Sequence, residues 1–263
     1  MEACVEPCVA YAAMGDTGSA ALSEAYDERY SAGEKDVQRS AAWRSLCARN
    51  KAGHVVALVR WASRPPVTVV EVGCGDGVLL AELAGRGVGA EHHGFDLSGR
   101  AVGFAAGRPE IARAERFDGS VLPVPDDAYD LGVLSHVLEH VPDPGPLLAE
   151  TARVARTVVV EVPLEANRSA SRSAAQRGRV ELGHLHRFAR CDIRALARAA
   201  GLHVVDELAD LLPRSIHLFH AAGAPARVRG LAKAGLRRAL FAASPGLAER
   251  SFTVHYACPL ARS

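Results

Sequence analysis

The residues best suited to chemistry lie in two short runs of histidine and acid. His136-Val-Leu-Glu139-His140 sets three side chains at i, i+3 and i+4, the spacing that shares one face of a helix. Gly183-His-Leu-His-Arg-Phe188 adds His184 and His186 from a later polar stretch. An imidazole titrates near neutrality and suits a general base, although a single histidine serves equally well as a hydrogen-bonding strut. His140 and His186 are the expected catalytic pair. If His136, Glu139 and His140 converge with His184 or His186, imidazole nitrogens and one carboxylate would surround an ion. Such a set suits Zn²⁺, Fe²⁺ or Mn²⁺ better than Mg²⁺. The alternative is that Glu139 and His140 only hydrogen-bond to neighbouring loops.

These groups need a rigid frame, and Val67-Thr-Val-Val-Glu-Val-Gly-Cys-Gly-Asp-Gly77 supplies its first part. Five of the first six residues are β-branched, as in a strand buried on both faces. The run then breaks into Gly73-x-Gly75-x-Gly77 and continues as the helix-forming Val78-Leu-Leu-Ala-Glu-Leu-Ala84. Strand, glycine turn and helix form the opening unit of a doubly wound nucleotide-binding sheet. Backbone can approach a ligand closely at the glycines, and the helix N-terminus favours negative charge. A dinucleotide fingerprint would need a glycine at position 78, which is Val78.

The G-x-G-x-G spacing, preceded by Glu71, resembles motif I of the class I S-adenosylmethionine-dependent methyltransferases. Further stretches follow in that family's order. Glu91-His-His-Gly-Phe-Asp96 ends a second strand in an acid about 20 residues past the glycine loop, and Leu97 comes next. Asp118-Gly119 follows a third strand, and Ser135-His136 closes a fourth, Tyr129–Ser135. The resemblance covers roughly residues 67–208. It implies S-adenosylmethionine as cofactor, with Glu71, Gly73, Cys74, Gly75 and Gly77 at its amino-acid end. By the same resemblance Asp96 holds the ribose, Leu97 packs on the adenine, and Asp118 with Gly119 meets the adenine amino group. Ser135 and His136 line the same pocket, and Tyr30, from an N-terminal helix, closes over it. Asp96 has an alternative reading as a helix cap, Asp118 as a turn acid, and Tyr30 as part of an ordinary amphipathic lead-in helix. Some hydroxyl-methylating members carry a Glu-x-x-Glu-His run that holds Mg²⁺, and His136 stands in place of its first Glu.

The expected fold is α/β, a Rossmann-like doubly wound sheet of seven strands with an antiparallel last strand and helices on both faces. Residues 1–64 are read as an N-terminal tail and helical cap, with residues 1–20 loose, a short helix over 21–32 that includes Tyr26, and one or two helices over 36–62 that include Trp61. Residues 65–263 form the cofactor-binding domain, with insertions at about 164–189 and 211–250. In the second insertion Arg227, Arg229, Lys233, Arg237 and Arg238 interleave with Leu231, Leu236, Leu240 and Phe241. It reads as an amphipathic helix with a solvated basic face, or as a lid that draws in an anionic substrate or rests on a membrane surface. Ser251–Cys258 alternates and is expected as the last strand.

At 49% hydrophobic and net charge +1, the chain can bury a sizeable core, and it offers no general attraction for nucleic acid. No run approaches the roughly 20 apolar residues that span a bilayer, and no signal peptide is apparent, so a cytoplasmic location is expected. The six cysteines are scattered and read as reduced thiols. Cys4-x-x-x-Cys8 lacks the third cysteine of a radical-enzyme cluster. The sequence therefore predicts methyl transfer to an oxygen or nitrogen of a small-molecule acceptor, with phenolic, sugar-like and other specialised metabolites as candidates, and leaves a homodimer open. The alternatives are a catalytically silent cofactor-binding partner subunit and an RNA or protein methyltransferase. The residues after the fourth strand, Ser135-His-Val-Leu138, are not the Asn-Pro-Pro-Tyr type common in the latter.

Overall fold

Four consecutive buried residues, Val69–Val72, put β1 (Thr68–Val72) at the centre of a sheet. In the computed structural model, β1 pairs in parallel with β2 (Glu91–Asp96) on one side and β4 (Tyr129–Ser135) on the other. The model describes residues 23, 24, 27, 28, 30, 34–60, 64–173, 175–177, 183–219 and 221–262. The expected loose tail with Cys4 and Cys8, and the helix residue Tyr26 and Trp61, lie outside these. β3 (Arg113–Arg116) flanks β2, and β5 (Ala155–Leu164) flanks β4 in register Ser135↔Glu161. With β8 (Val254–Arg262) antiparallel to β5 and β6 (Leu202–Val204) at the far edge, the sheet order is β3-β2-β1-β4-β5-β8-β6.

Alternation with period two divides the strand side chains between two faces. Val70, Val72, Leu134, Val158 and Val160 pack with helices α4 (Pro144–Val154) and α5 (Arg190–Ala199). Val69, Val133, Val159 and Ala257 face α1 (Glu34–Val59), α2 (Val78–Gly85) and α3 (Gly99–Ala106). From α1, Ala48, Ala52, Val55 and Leu58 enter this second core, so α1 is a layer of the sheet packing. Each fully buried Leu or Val contributes about 1.5–3 kcal/mol.

The antiparallel end differs in detail from the sequence expectation. Residues 245–251 form a helix, and the last strand begins at Val254 and runs on to Arg262. The edge beyond β8 is two short strands, β6 (Leu202–Val204) and β7 (Leu208–Asp210), both antiparallel to β8. The sheet thus has seven lateral positions and eight strands. The break falls opposite Pro259, which has no N–H to give the ladder, while its carbonyl still accepts from Val205 N–H at 2.9 Å.

Between β7 and β8 the insertion folds as α6 (Arg214–Phe219), α7 (Gly223–Ala243) and α8 (Pro245–Ser251). Only Ala234 of α7 is buried; Arg227, Arg229 and Arg238 are exposed, but so are Val228, Leu231 and Leu236, so the basic residues are solvated without the buried apolar stripe of an amphipathic helix. Arg237 instead lies over the Phe252 ring at 4.8 Å. No helix among the described residues is long and apolar enough to cross a membrane.

Candidate active site

Strand order reverses between β1 and β4, and ligands of such sheets bind at the carboxyl ends of those strands. The glycine loop occupies that point. Gly73, Gly75 and Gly77 have φ of +80°, +54° and +73°, a region that side chains rarely adopt. A Cβ on Gly73 would lie 2.5 Å from Val137, and one on Gly75 would lie 2.8 Å from the Tyr30 hydroxyl. The loop is therefore in contact with the His136–His140 run on one side and with Tyr30 on the other. Tyr30 is held there by Arg44 over its ring at 4.9 Å, and Arg44 also pairs with Asp76 at 2.8 Å. Cys74 turns its thiol inward, where a Cβ on Gly94 would meet Sγ at 2.6 Å.

Asp96 ends β2 and joins the two halves of the expected cofactor pocket. Its Oδ2 accepts Gly75 N–H at 2.8 Å, and its Oδ1 accepts Ser98 N–H at 2.8 Å. Ser98, not Asp96, caps α3, its hydroxyl accepting Ala101 N–H. Burial raises the Asp96 carboxyl above the usual range against these hydrogen bonds. Asp118 lies at the surface end, where Oδ1 accepts Ser120 N–H at 2.9 Å and Ser120 O–H at 2.7 Å. The next residue, Gly119, has φ +92° and faces the Leu97 side chain. Glu71 is buried beneath the loop, and its Oε2 has no hydrogen-bond partner. Burial holds that carboxyl well above the ordinary range. Left-handed glycines, a buried carboxyl oxygen lacking a partner and the carboxylate of Asp96 fit a cationic cofactor with amino-acid and ribose groups.

The histidine run does not form one helical face. β4 ends at Ser135, His136 takes φ +58°, and Leu138–His140 is a single 3-10 turn. A non-glycine residue in that conformation is strained, and such strain concentrates at functional sites. His136 is thereby separated from His140. Its Nδ1 lies 3.0 Å from Glu139 Oε1, and its Nε2 lies 3.2 Å from His255 Nδ1. His140 instead meets His184 edge to face, with ring centroids 4.8 Å apart. Its Nδ1 donates to Gly183 O at 3.1 Å, which places the lone pair on Nε2. Burial pushes the His140 pKa down to about 4 despite the Glu139 charge, so the ring is neutral near pH 7. Glu139 is fully buried, and neither carboxylate oxygen makes a hydrogen bond. Burial opposes its charge, but His136 outweighs this and brings its pKa down to about 2.

Glu139, His140 and His184 each offer a ligand atom within 4.8 Å of the others. His186 is placed elsewhere. It donates from Nε2 to Val141 O at 2.8 Å, with Pro142 O at 3.2 Å, and stacks on Phe188, clasping the two loops together.

Sequence reasoning missed His54, Glu161 and His255. Glu161 Oε1 lies 3.0 Å from His54 Nδ1 and 3.4 Å from His255 Nδ1, and its Oε2 accepts Ser135 O–H at 3.0 Å. Burial disfavours its charge, yet hydrogen bonds from these histidines hold the carboxyl well below the usual range. A carboxylate between Val158–Val160 and Val162 is the signal that could have found it, because a charge in a buried strand needs partners. Nothing local marked His54 or His255.

Sheet order, glycine loop and acid-terminated second strand together define a Rossmann-like cofactor-binding domain of the type whose last strand is antiparallel. Residues 35–207 match the family model described as a methyltransferase domain. The chain belongs to the class I S-adenosylmethionine-dependent methyltransferase family. It is 37% identical over 89 residues to a methyltransferase of Mycobacterium sp. (strain JLS), 34% of either chain. It is 32% identical over 114 residues to a ubiquinone biosynthesis O-methyltransferase of Thiobacillus denitrificans, covering 37% of this chain and 45% of that one. The matched segments thus span less than half the length of these relatives. Among solved structures, geranyl diphosphate C-methyltransferase from Streptomyces coelicolor superposes with a TM-score of 0.60 at 14% identity, covering 81% of this chain and 79% of that one. That likeness is one of fold.

Proposed function

We propose that this protein transfers the methyl group of S-adenosylmethionine to an oxygen or nitrogen of a small-molecule acceptor. The observation that carries the reading is the contact of Gly73 with Val137, which sets the Glu139–His140–His184 group beside the cofactor loop. The cofactor supplies an electrophilic methyl on a sulfonium. The chain's task is to hold the acceptor in line with it and to manage the acceptor's proton. Oxygen is favoured by the Thiobacillus denitrificans relative, whose name is that of an O-methyltransferase.

Glu139, His140 and His184 fit a divalent cation, because a buried carboxylate without a hydrogen bond faces two imidazoles. Such an ion would make an acceptor hydroxyl more acidic. Beside it, Glu165 holds His184 Nδ1 at 3.0 Å and leads into a cleft of about 530 Å³. The cleft is lined by Asn167, Arg168, Ser171, Arg187, Leu247 and Arg250, so both insertions contribute to it. Arg187 is committed to Glu165 O and Ser171 Oγ. Arg168 and Arg250 add positive charge suited to an anionic or hydroxyl-rich acceptor.

Calorimetry with S-adenosylmethionine, followed by labelled-methyl transfer over metabolite extracts, tests the reading. Tight cofactor binding and a labelled small-molecule product support it. A folded protein that ignores S-adenosylmethionine, or that binds a nicotinamide dinucleotide tightly instead, overturns it.

A further inference from the structure

We infer that His136, Glu161 and His255 form a binding site for a divalent transition metal of the zinc type, separate from the Glu139–His140–His184 group. The inference stands on these side chains alone and holds whichever acceptor is methylated. His136 Nε2 and His255 Nδ1 are 3.2 Å apart, His255 Nδ1 and Glu161 Oε1 are 3.4 Å apart, and His136 Nε2 and Glu161 Oε1 are 3.7 Å apart. A tetrahedral ion with bonds of ~2.1 Å has ligand–ligand edges of about 3.4 Å. An ion could therefore sit among the three atoms with little movement. Two imidazoles and one carboxylate leave a fourth position for water or a hydroxyl.

The surroundings are those of a supported metal site. Ligating histidines characteristically pass their other N–H to a carboxylate, and Glu139 Oε1 is at hand for that role, 3.0 Å from His136 Nδ1 as an ion-pair partner not aligned as a hydrogen bond. Glu161 is braced from His54 Nδ1 at 3.0 Å and from the Ser135 hydroxyl at 3.0 Å, and His54 Nε2 is itself 3.2 Å from Asp210 Oδ2. Ser135 and Glu161 come from the parallel pair β4–β5, His136 from the residue that follows β4, His255 from the antiparallel β8, and His54 from α1. A positive φ at His136 turns its ring toward β5 and β8 instead of along the strand. Charge gives the second argument. Glu139 and Glu161 are both buried, and among the described residues neither is ion-paired with an arginine or lysine. His54, with one ring nitrogen on Glu161 and the other on Asp210, offsets part of this charge, and an ion among His136, Glu161 and His255 supplies the rest. His136 and His255 keep side-chain exposures of 18% and 12%, and these give the ion its way in.

The test is a titration of full-length protein, stripped with chelator and dialysed, with Co²⁺ as the spectroscopic stand-in for Zn²⁺. The expected result is a visible ligand-field spectrum of four- or five-coordinate Co²⁺. Read in His184→Gln protein, which disables the rim group, the spectrum should be present, Glu161→Gln and His255→Gln should abolish it, and His54→Gln should weaken Co²⁺ affinity about 10–100-fold. A folded His184→Gln protein that shows no such spectrum overturns the inference, as does a spectrum that survives His255→Gln added to it. Where Glu161→Gln or His255→Gln does not fold, X-ray absorption of Zn²⁺-loaded His184→Gln protein decides. Two imidazoles with oxygen at the metal support the site, and a single imidazole overturns it.

Discussion

Asp96 Oδ2 accepts the backbone N–H of Gly75 at 2.8 Å, a bond that ties the end of β2 to the middle of the glycine loop. The same carboxylate therefore shapes the loop and faces the position expected for the ribose. Asp96→Ala should weaken S-adenosylmethionine binding by about 1–3 kcal/mol, through lost charge-assisted hydrogen bonds and a loosened loop. Calorimetry measures it, and Asp96→Asn, which keeps an acceptor for Gly75 N–H, should recover part of the loss.

The glycine loop permits a sharper contrast. Gly73→Ala places a Cβ 2.5 Å from Val137 at φ +80°. The left-handed conformation alone costs about 1–2 kcal/mol, before any displacement of Val137. Gly85 lies in α2, and nothing stands within 4 Å of a Cβ there. Gly85→Ala should be neutral or stabilising by up to ~1 kcal/mol. Thermal melts of both variants, with and without cofactor, test the pair; an equal response would remove the steric argument.

Acid stability should depend on Glu207. Arg194 meets its two carboxylate oxygens in a fork at 2.7 Å each, and Tyr256 O–H donates at 2.6 Å. With Arg194 leading and burial opposing, its pKa falls from 4.5 to about 2. A depressed folded-state pKa means the stabilisation is complete above the unfolded value near 4.5 and is lost as pH falls toward about 2. Glu207→Gln should lower the melting temperature at pH 7 and flatten its decline between those two values.

Chelation addresses the rim group. If Glu139, His140 and His184 hold an ion that methyl transfer requires, exhaustive chelation stops turnover and a returned divalent metal restores it. His184→Gln should then raise the metal concentration needed for half-maximal rate. Turnover that persists with no metal by elemental analysis would leave His140 as a base or an orienting group.

The arginine cleft carries its own expectation. Arg168→Ala combined with Arg250→Ala should raise the KM for the acceptor, leaving cofactor affinity unchanged. Equal KM values at low ionic strength, where charge attraction is greatest, would show that the acceptor binds elsewhere.

The glycine loop and the acid that bonds to it were legible in the chain. A β-branched run, three spaced glycines and a helix former lie within about twenty residues, and an acid follows the next strand. Period-two burial, turn chemistry and helix propensity act between near neighbours, so linear order carries them. The basic character of α7 was readable in composition, but not which arginines stay solvated. Arg237 and Arg238 lie three and four residues from buried Ala234, on the same side of the helix, and only the packing of Phe252 under Arg237 tells them apart. The two-strand edge opposite β8 was not readable either, since the effect of Pro259 depends on which strand lies across from it.

The histidine sites belong to the other category. His136, Glu139 and His140 look like a single face on a helix, and only the positive φ at His136 and the short 3-10 turn divide them between two groups. His184 and His186 are two residues apart and equivalent by composition. Backbone hydrogen bonds from Leu185 and His186 to Glu139 O set the loop so that His184 faces His140 and His186 turns to the Val141 carbonyl. His54 and Glu161 stand 107 positions apart, and His136 and His255 stand 119 apart. They meet because β5 and β8 pair with Pro163 opposite His255 and Glu161 opposite Ala257, and α1 lies across that face. A one-residue slip in that register would send His255 to the opposite side of the sheet. The residue types were present in the sequence, but their assembly into one cluster is a consequence of strand register, which the packing of the whole sheet decides.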